Sequence, residues 1–135
     1  MNILVDTCVW SLALRRKQDP QDTVAKELGE LISEGRAQLI GPIRQELLSG
    51  IKNEKQFVTL KDTLQAFHDL PLQVEDYECA AKFFNKCRQK GLQGSNTDFL
   101  ICSVAYRRSM KIYTVDQDFV LFQKYLPFML YKGRC

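Results

Sequence analysis

A chain of 135 residues, 45% hydrophobic and 26% charged, has the size and composition of one globular domain with a real core. Its net charge of +3, from 19 basic and 16 acidic residues, does not by itself mark a nucleic-acid binder. No apolar run is long enough to cross a bilayer, and Asp6 and Arg15 break the layout of a secretory leader, so no membrane association and a cytoplasmic location are expected.

In chain order, Ile3-Leu4-Val5 reads as a short strand buried on both faces, as in a parallel sheet, with Asp6 at its carboxyl end and a helix over Cys8 to Leu14. Lys17 to Asp22 is a polar turn. Val24, Leu28, Leu31 and Ile32 form a helical stripe ended by Gly35 as C′ residue. Ala37 to Ile40 is a second strand. Gly41-Pro42 then opens a helix carrying Ile43, Glu46 and Leu47 on one face and stopping near Gly50. Phe57, Leu60, Leu64 and Phe67 make the next helical stripe, and Leu70-Pro71-Leu72 is at most an edge strand. From Glu75 to Lys90, Tyr77, Ala81, Phe84 and Cys87 keep helical spacing and predict the core face of a helix ended by Gly91. Ser95 is the expected N-cap of a helix over Thr97 to Ser109. Met110 to Thr114 is a strand, Gln117 to Tyr125 a short helix, and Phe128 to Tyr131 a final strand. Strands alternating with helices predict a parallel sheet covered on both faces, with right-handed crossovers.

The five cysteines, Cys8, Cys79, Cys87, Cys102 and Cys135, are odd in number and contain no C-x-x-C pair, which favours reduced thiols used as small core residues. The single His68 lies far from any cysteine pair, which argues against zinc. Cys8 does not head a phosphatase loop, because C-x5-R would need arginine where Leu14 stands.

The acids carry the chemical signal. Asp6 and Asp116 each end a strand and begin a helix, where ligands of open α/β sheets bind. Asp98 lies in the first turn of a helix whose i+3, i+4 and i+7 neighbours are Ile101, Cys102 and Ala105, and Glu46 shares a face with Ile43 and Leu47. Each acid has a plain structural reading: Asp6 and Asp116 as N-caps, Asp98 in a capping box with Ser95, Glu46 at a rim. Four carboxylates within about 5 Å of one another would repel by about 3 kcal/mol per pair at an effective dielectric of 20. Such a group takes up protons or holds cations, and oxygen-only donors suit Mg2+ or Mn2+.

The chain resembles PIN-domain proteins, in particular the VapC-type ribonuclease toxins of bacterial toxin–antitoxin pairs. The resemblance rests on Ile3-Leu4-Val5-Asp6-Thr7, Gln45-Glu46-Leu47-Leu48-Ser49-Gly50, Asn96-Thr97-Asp98-Phe99-Leu100-Ile101 and Tyr113-Thr114-Val115-Asp116-Gln117-Asp118-Phe119, in that order along the whole chain. It implies a single domain over residues 1–135 with a three-layer α/β/α fold and a central, mostly parallel sheet of four to five strands. It also implies an endoribonuclease using Mg2+ or Mn2+, a homodimer, and a cognate antitoxin that blocks the site. By resemblance Asp6, Glu46, Asp98 and Asp116 are the catalytic acids, with Asp118 an additional metal-binding acid beside Asp6, Asp98 and Asp116. Thr7 and Thr114 are the supporting polar residues, and Arg15, Arg16, Lys17 and Asn96 are candidates for contact with RNA. Cys8 stands where serine is common, and Phe99 where a small residue is usual.

Two rival readings are weaker. A haloacid-dehalogenase-like phosphatase wants D-x-D, but Cys8 holds the third position; a receiver domain wants an acidic pair before its phosphoacceptor strand and a late lysine, and neither is placed correctly here. A catalytically dead scaffold should have lost acids that this chain keeps.

Overall fold

The structure, a computed structural model, describes residues 1–14 and 22–133, so most of the turn read at Lys17 to Asp22 lies outside the described residues. The elements are β1 (Ile3–Val5), α1 (Thr7–Leu14), α2 (Thr23–Ser33), β2 (Ala37–Gln38), α3 (Gly41–Leu48), α4 (Glu54–Leu64), α5 (Val74–Gln89), α6 (Asn96–Arg107), β3 (Lys111–Tyr113), α7 (Asp118–Gln123) and β4 (Met129–Leu130). The four strands form one sheet in the order β2-β1-β3-β4, every neighbouring pair parallel, with Leu4 opposite Gln38 on one side and Ile112 on the other. Helices on both faces complete a three-layer α/β/α arrangement.

Being central and covered on both faces, β1 has no solvent-facing side, which is why it can be apolar at three successive positions. Ile3, Leu4 and Val5 are all fully buried. On one side α1 packs on α2 and α3; on the other α5 packs along α6, and α6 lies on β3. From Phe99 to Ala105 every residue of α6 is buried, so this helix is part of the core rather than a cover for it. Helix ends follow the local chemistry. Asp22 caps α2 by accepting the N–H groups of Val24 and Ala25, and Gly35 takes φ +69° just beyond α2.

Two expectations are corrected. Leu70-Pro71-Leu72 forms no strand. The chain makes one parallel bridge, Asp69 with Leu39, and Leu70 N–H donates to Leu39 O at 2.8 Å; Pro71, lacking an N–H, cannot extend the ladder. The inward face of α5 is also not the one expected. Asp76, Ala80, Phe83 and Cys87 are buried, while Tyr77 is 53% exposed and Ala81 faces solvent. The cause is a buried charge that a hydrophobic pattern does not reveal. The Asp76 carboxylate has no exposed surface and is held by Arg107 Nη1 at 2.6 Å and Arg108 Nη2 at 3.0 Å, while Ser103 Oγ donates to the Asp76 carbonyl.

Candidate metal centre

The acidic residues reach one place because β1 and β3 are adjacent and parallel, so the loops leaving them emerge side by side. Asp6 N–H donates to Tyr113 O at 2.9 Å, extending the β1–β3 ladder by one step and fixing Asp6 at the carboxyl edge of the sheet. A cavity of about 650 Å3 opens there, and Asp6, Glu46, Asp98 and Asp116 all line it. These four come from the end of β1, from α3, from the first turn of α6 and from the loop after β3.

Two threonines tie the acids together. Thr7 N–H donates to Asp6 Oδ1 at 2.7 Å while its hydroxyl donates to Glu46 Oε1 at 2.6 Å. The Thr114 hydroxyl donates to Asp6 Oδ2 at 2.7 Å and accepts the Asp116 N–H at 3.0 Å. The Cys8 thiol sits 3.3 Å from Asp6 Oδ2 and 3.4 Å from Thr114 Oγ1. Asp98 holds the capping box foreseen in the sequence: Asp98 N–H donates to Ser95 Oγ and Asp98 Oδ2 accepts the Ser95 N–H, both at 3.0 Å. The capping role and the cavity-lining position coexist in one side chain.

Electrostatics distinguish Asp6 and Asp98 from surface carboxylates. Burial raises the pKa of Asp6; hydrogen bonds from Thr114, Cys8 and Thr7 oppose it, and the Asp116 charge adds to it. Burial likewise raises Asp98, with the charges of Asp6 and Asp116 contributing. Desolvation is thus the larger cause at both groups and mutual repulsion the smaller. Among the described residues no three acid, cysteine or histidine side chains close on a single point. The four acids nonetheless line one cavity. Its donors fit Mg2+ or Mn2+ in kind, being oxygen ligands whose buried charge a cation would offset.

The remaining candidates lie elsewhere. Asp118 opens α7, is exposed, and does not line the cavity; its backbone N–H donates to Asp116 Oδ1 at 2.9 Å. Asn96 lines an adjoining groove. Arg15, Arg16 and Lys17 lie outside the described residues. Arg107 and Arg108, a basic cluster in the sequence, are committed to Asp76. Cys8, Gln45, Ser49 and Thr97 line the cavity without having been singled out for it. The signal was there: each lies within two positions of an acid or within one helical turn of Glu46.

The chain matches the PIN domain family over residues 3–124. Comparison with curated proteins found no match. Among solved structures, the chain is similar to FitAcB from Neisseria gonorrhoeae at 23% identity and a TM-score of 0.74, covering 96% of each chain. It is also similar to VapBC2 from Rickettsia felis bound to a DNA fragment from their promoter, at 20% identity and a TM-score of 0.73, covering 97% of this chain and 98% of that one. A third similar structure is a toxin–antitoxin complex from Klebsiella pneumoniae, at 13% identity and a TM-score of 0.62, covering 86% and 88%. The sheet order, the position of the acids beyond β1 and β3 and the family match together make the chain a member of the PIN domain family.

Proposed function

We propose that the chain is a metal-dependent endoribonuclease, the toxin of a VapC-type toxin–antitoxin pair, acting on RNA phosphodiester bonds at its acidic cavity. The observation that carries this reading is the convergence of Asp6, Glu46, Asp98 and Asp116 on one cavity from positions spread over most of the chain. The family match and the fold shared with toxin–antitoxin complexes support it.

Asp6, Asp98 and Asp116 are assigned to hold Mg2+, or Mn2+, with Asp118 serving a second ion when the substrate phosphate arrives. When bound, such an ion supplies Lewis acidity that activates a water and offsets charge on the phosphodiester. Glu46 orients the attacking water or takes its proton, and the Thr7 hydroxyl on Oε1 fixes that carboxylate relative to Asp6. Thr114 keeps Asp6 and the Asp116 backbone in register. Arg15, Arg16 and Lys17, with Asn96, are assigned to guide the RNA backbone past a cavity that otherwise repels it. The partners in this reading are an antitoxin that covers the cavity and a second copy of the chain.

The test is Mg2+-dependent cleavage of a single-stranded RNA by wild type, Asp6→Asn and Asp98→Asn, with mapping of the new ends. Both variants should lose about 100-fold or more in kcat, and co-expression with the product of the neighbouring small gene should silence the wild type. Cleavage that survives both substitutions unchanged would defeat the assignment.

A further inference from the structure

Behind the acids of the cavity, a packed row of rings ties α6 to α7. Phe99 directly follows Asp98, and its ring sits between two others. Phe84 of α5 meets it edge-on at 5.5 Å, and Phe122 of α7 meets it tilted at 4.8 Å. Phe122 in turn touches Phe119 at 5.6 Å. Phe99, Phe119 and Phe122 are all buried, and at the density of a protein interior such rings hold their helices at a fixed distance.

The row is coupled to both acids. Asp98 precedes Phe99 in the first turn of α6, while Asp116 is bound to the start of α7. Asp116 Oδ1 accepts the Asp118 N–H at 2.9 Å and the Asp116 carbonyl accepts the Phe119 N–H at 3.2 Å. A change in how α7 seats on α6 therefore moves Asp116 relative to Asp98. Gly94 permits the close seating. A Cβ there would come within 2.7 Å of Phe122 Cζ and 2.9 Å of Phe99 Cε2, well inside ordinary carbon–carbon contact. Neither ring has solvent to swing into, and the next residue, Ser95, is the one that holds Asp98.

We infer that Phe99 and Phe122, with Gly94 making room for them, are positioning residues whose ring contact sets the separation of Asp98 and Asp116 and so the ion that the cavity selects. Mg2+ demands near-ideal octahedral geometry at about 2.0–2.1 Å, whereas Ca2+ accepts roughly six to eight oxygens at about 2.3–2.6 Å in flexible arrangements. A displaced carboxylate thus penalises Mg2+ more than Ca2+, whichever way it moves.

This rests on the metal-holding role proposed for these acids, and the test reads ion affinity rather than cleavage. Isothermal titration calorimetry with Mg2+ and with Ca2+ compares wild type, Phe122→Leu, Gly94→Ala and the double variant, each checked for folding by circular dichroism. Phe122→Leu removes the ring tip; it should raise the Mg2+ Kd about ten-fold and the Ca2+ Kd less than about three-fold. Gly94→Ala displaces the same rings and should do likewise. In the double variant the new methyl takes the space that Cζ left, so the Mg2+ Kd should return to within about three-fold of wild type. Leu28→Val, which trims a buried side chain of α2, should lower the melting temperature and leave the ratio of the two Kd values unchanged. If Phe122→Leu does not fold, Phe99→Leu tests the same contact and should show the same selective loss. A ratio that shifts no more in the ring variants than in Leu28→Val overturns the spacer and leaves the metal site standing. A double variant that binds Mg2+ no better than Gly94→Ala also overturns it. A wild type that binds neither ion overturns the metal site and the spacer together.

Discussion

Thr7 and Thr114 each serve two acids at once, which makes the site depend on hydroxyls as much as on carboxylates. Thr7→Val keeps shape and the backbone N–H on Asp6 but removes the donor to Glu46 Oε1. The expected outcome is about a ten-fold fall in kcat with KM unchanged and little loss of stability, read from steady-state cleavage beside a urea titration. Thr114→Val takes the hydroxyl from a carboxylate that is only 5% exposed and the acceptor from Asp116 N–H. It should therefore cost about 1–3 kcal/mol as well as activity. Equal, small effects of the two would mean that the hydroxyls are incidental. At this scale the acids were legible because strand ends and a helix start place them, and a short motif carries each. Cys8 was legible as a rejected nucleophile and as a departure from the serine common in the family; its contact with Thr114, over a hundred positions away in the chain, was not.

Among the elements, α5 and α6 form the tightest unit, and Asp76 fastens them. The carboxylate accepts the Gln73 N–H at 2.8 Å, closing the capping box of α5, and receives both guanidiniums from the end of α6. Burial alone would raise its pKa. The Gln73 N–H and the hydrogen bonds from Arg107 and Arg108 outweigh that and hold it below the ordinary value of 3.8. A carboxyl lowered on folding contributes stability that is fully present above its unfolded pKa and is lost as pH falls through the folded one. Asp76→Ala should therefore destabilise the chain by about 3 kcal/mol at neutral pH, and the gap to wild type should close under acid conditions below pH 3.8. Denaturant midpoints of both proteins across the acid range decide it; a gap that stays constant with pH would assign the cost to lost packing instead. Sequence periodicity misplaced the buried face of α5 for the same reason: with apolar residues on two stripes, the choice fell to an acid whose counter-charges lie on another helix.

Over the whole molecule, the alternation of strands and helices was legible because β1 is apolar throughout and glycines mark several helix ends. The spacing of the acids was not, since it depends on how far α3 and α6 stand from the sheet edge, a tertiary quantity with no local sign. That spacing sets how the fold answers to a cation. Asp6 and Asp98 have pKa values raised mainly by burial, so their charged forms are disfavoured by folding. The sign is opposite to that of Asp76: the cost is absent below the unfolded pKa and fully present above the folded one, hence at neutral pH. A divalent cation held between these carboxylates offsets that cost in the folded chain and finds no such arrangement in the unfolded one. Mg2+ or Mn2+ at a hundred-fold excess over its Kd should then add about 2.7 kcal/mol, seen as a rise in Tm. Monovalent salt at matched ionic strength should not reproduce the rise, since it only screens. Asp6→Asn and Asp98→Asn should each abolish the increment. Because each also removes a disfavoured buried charge, neither should melt far below the metal-free wild type. An equal rise in the variants, or in monovalent salt, would mean that the cavity gathers acids without binding a cation.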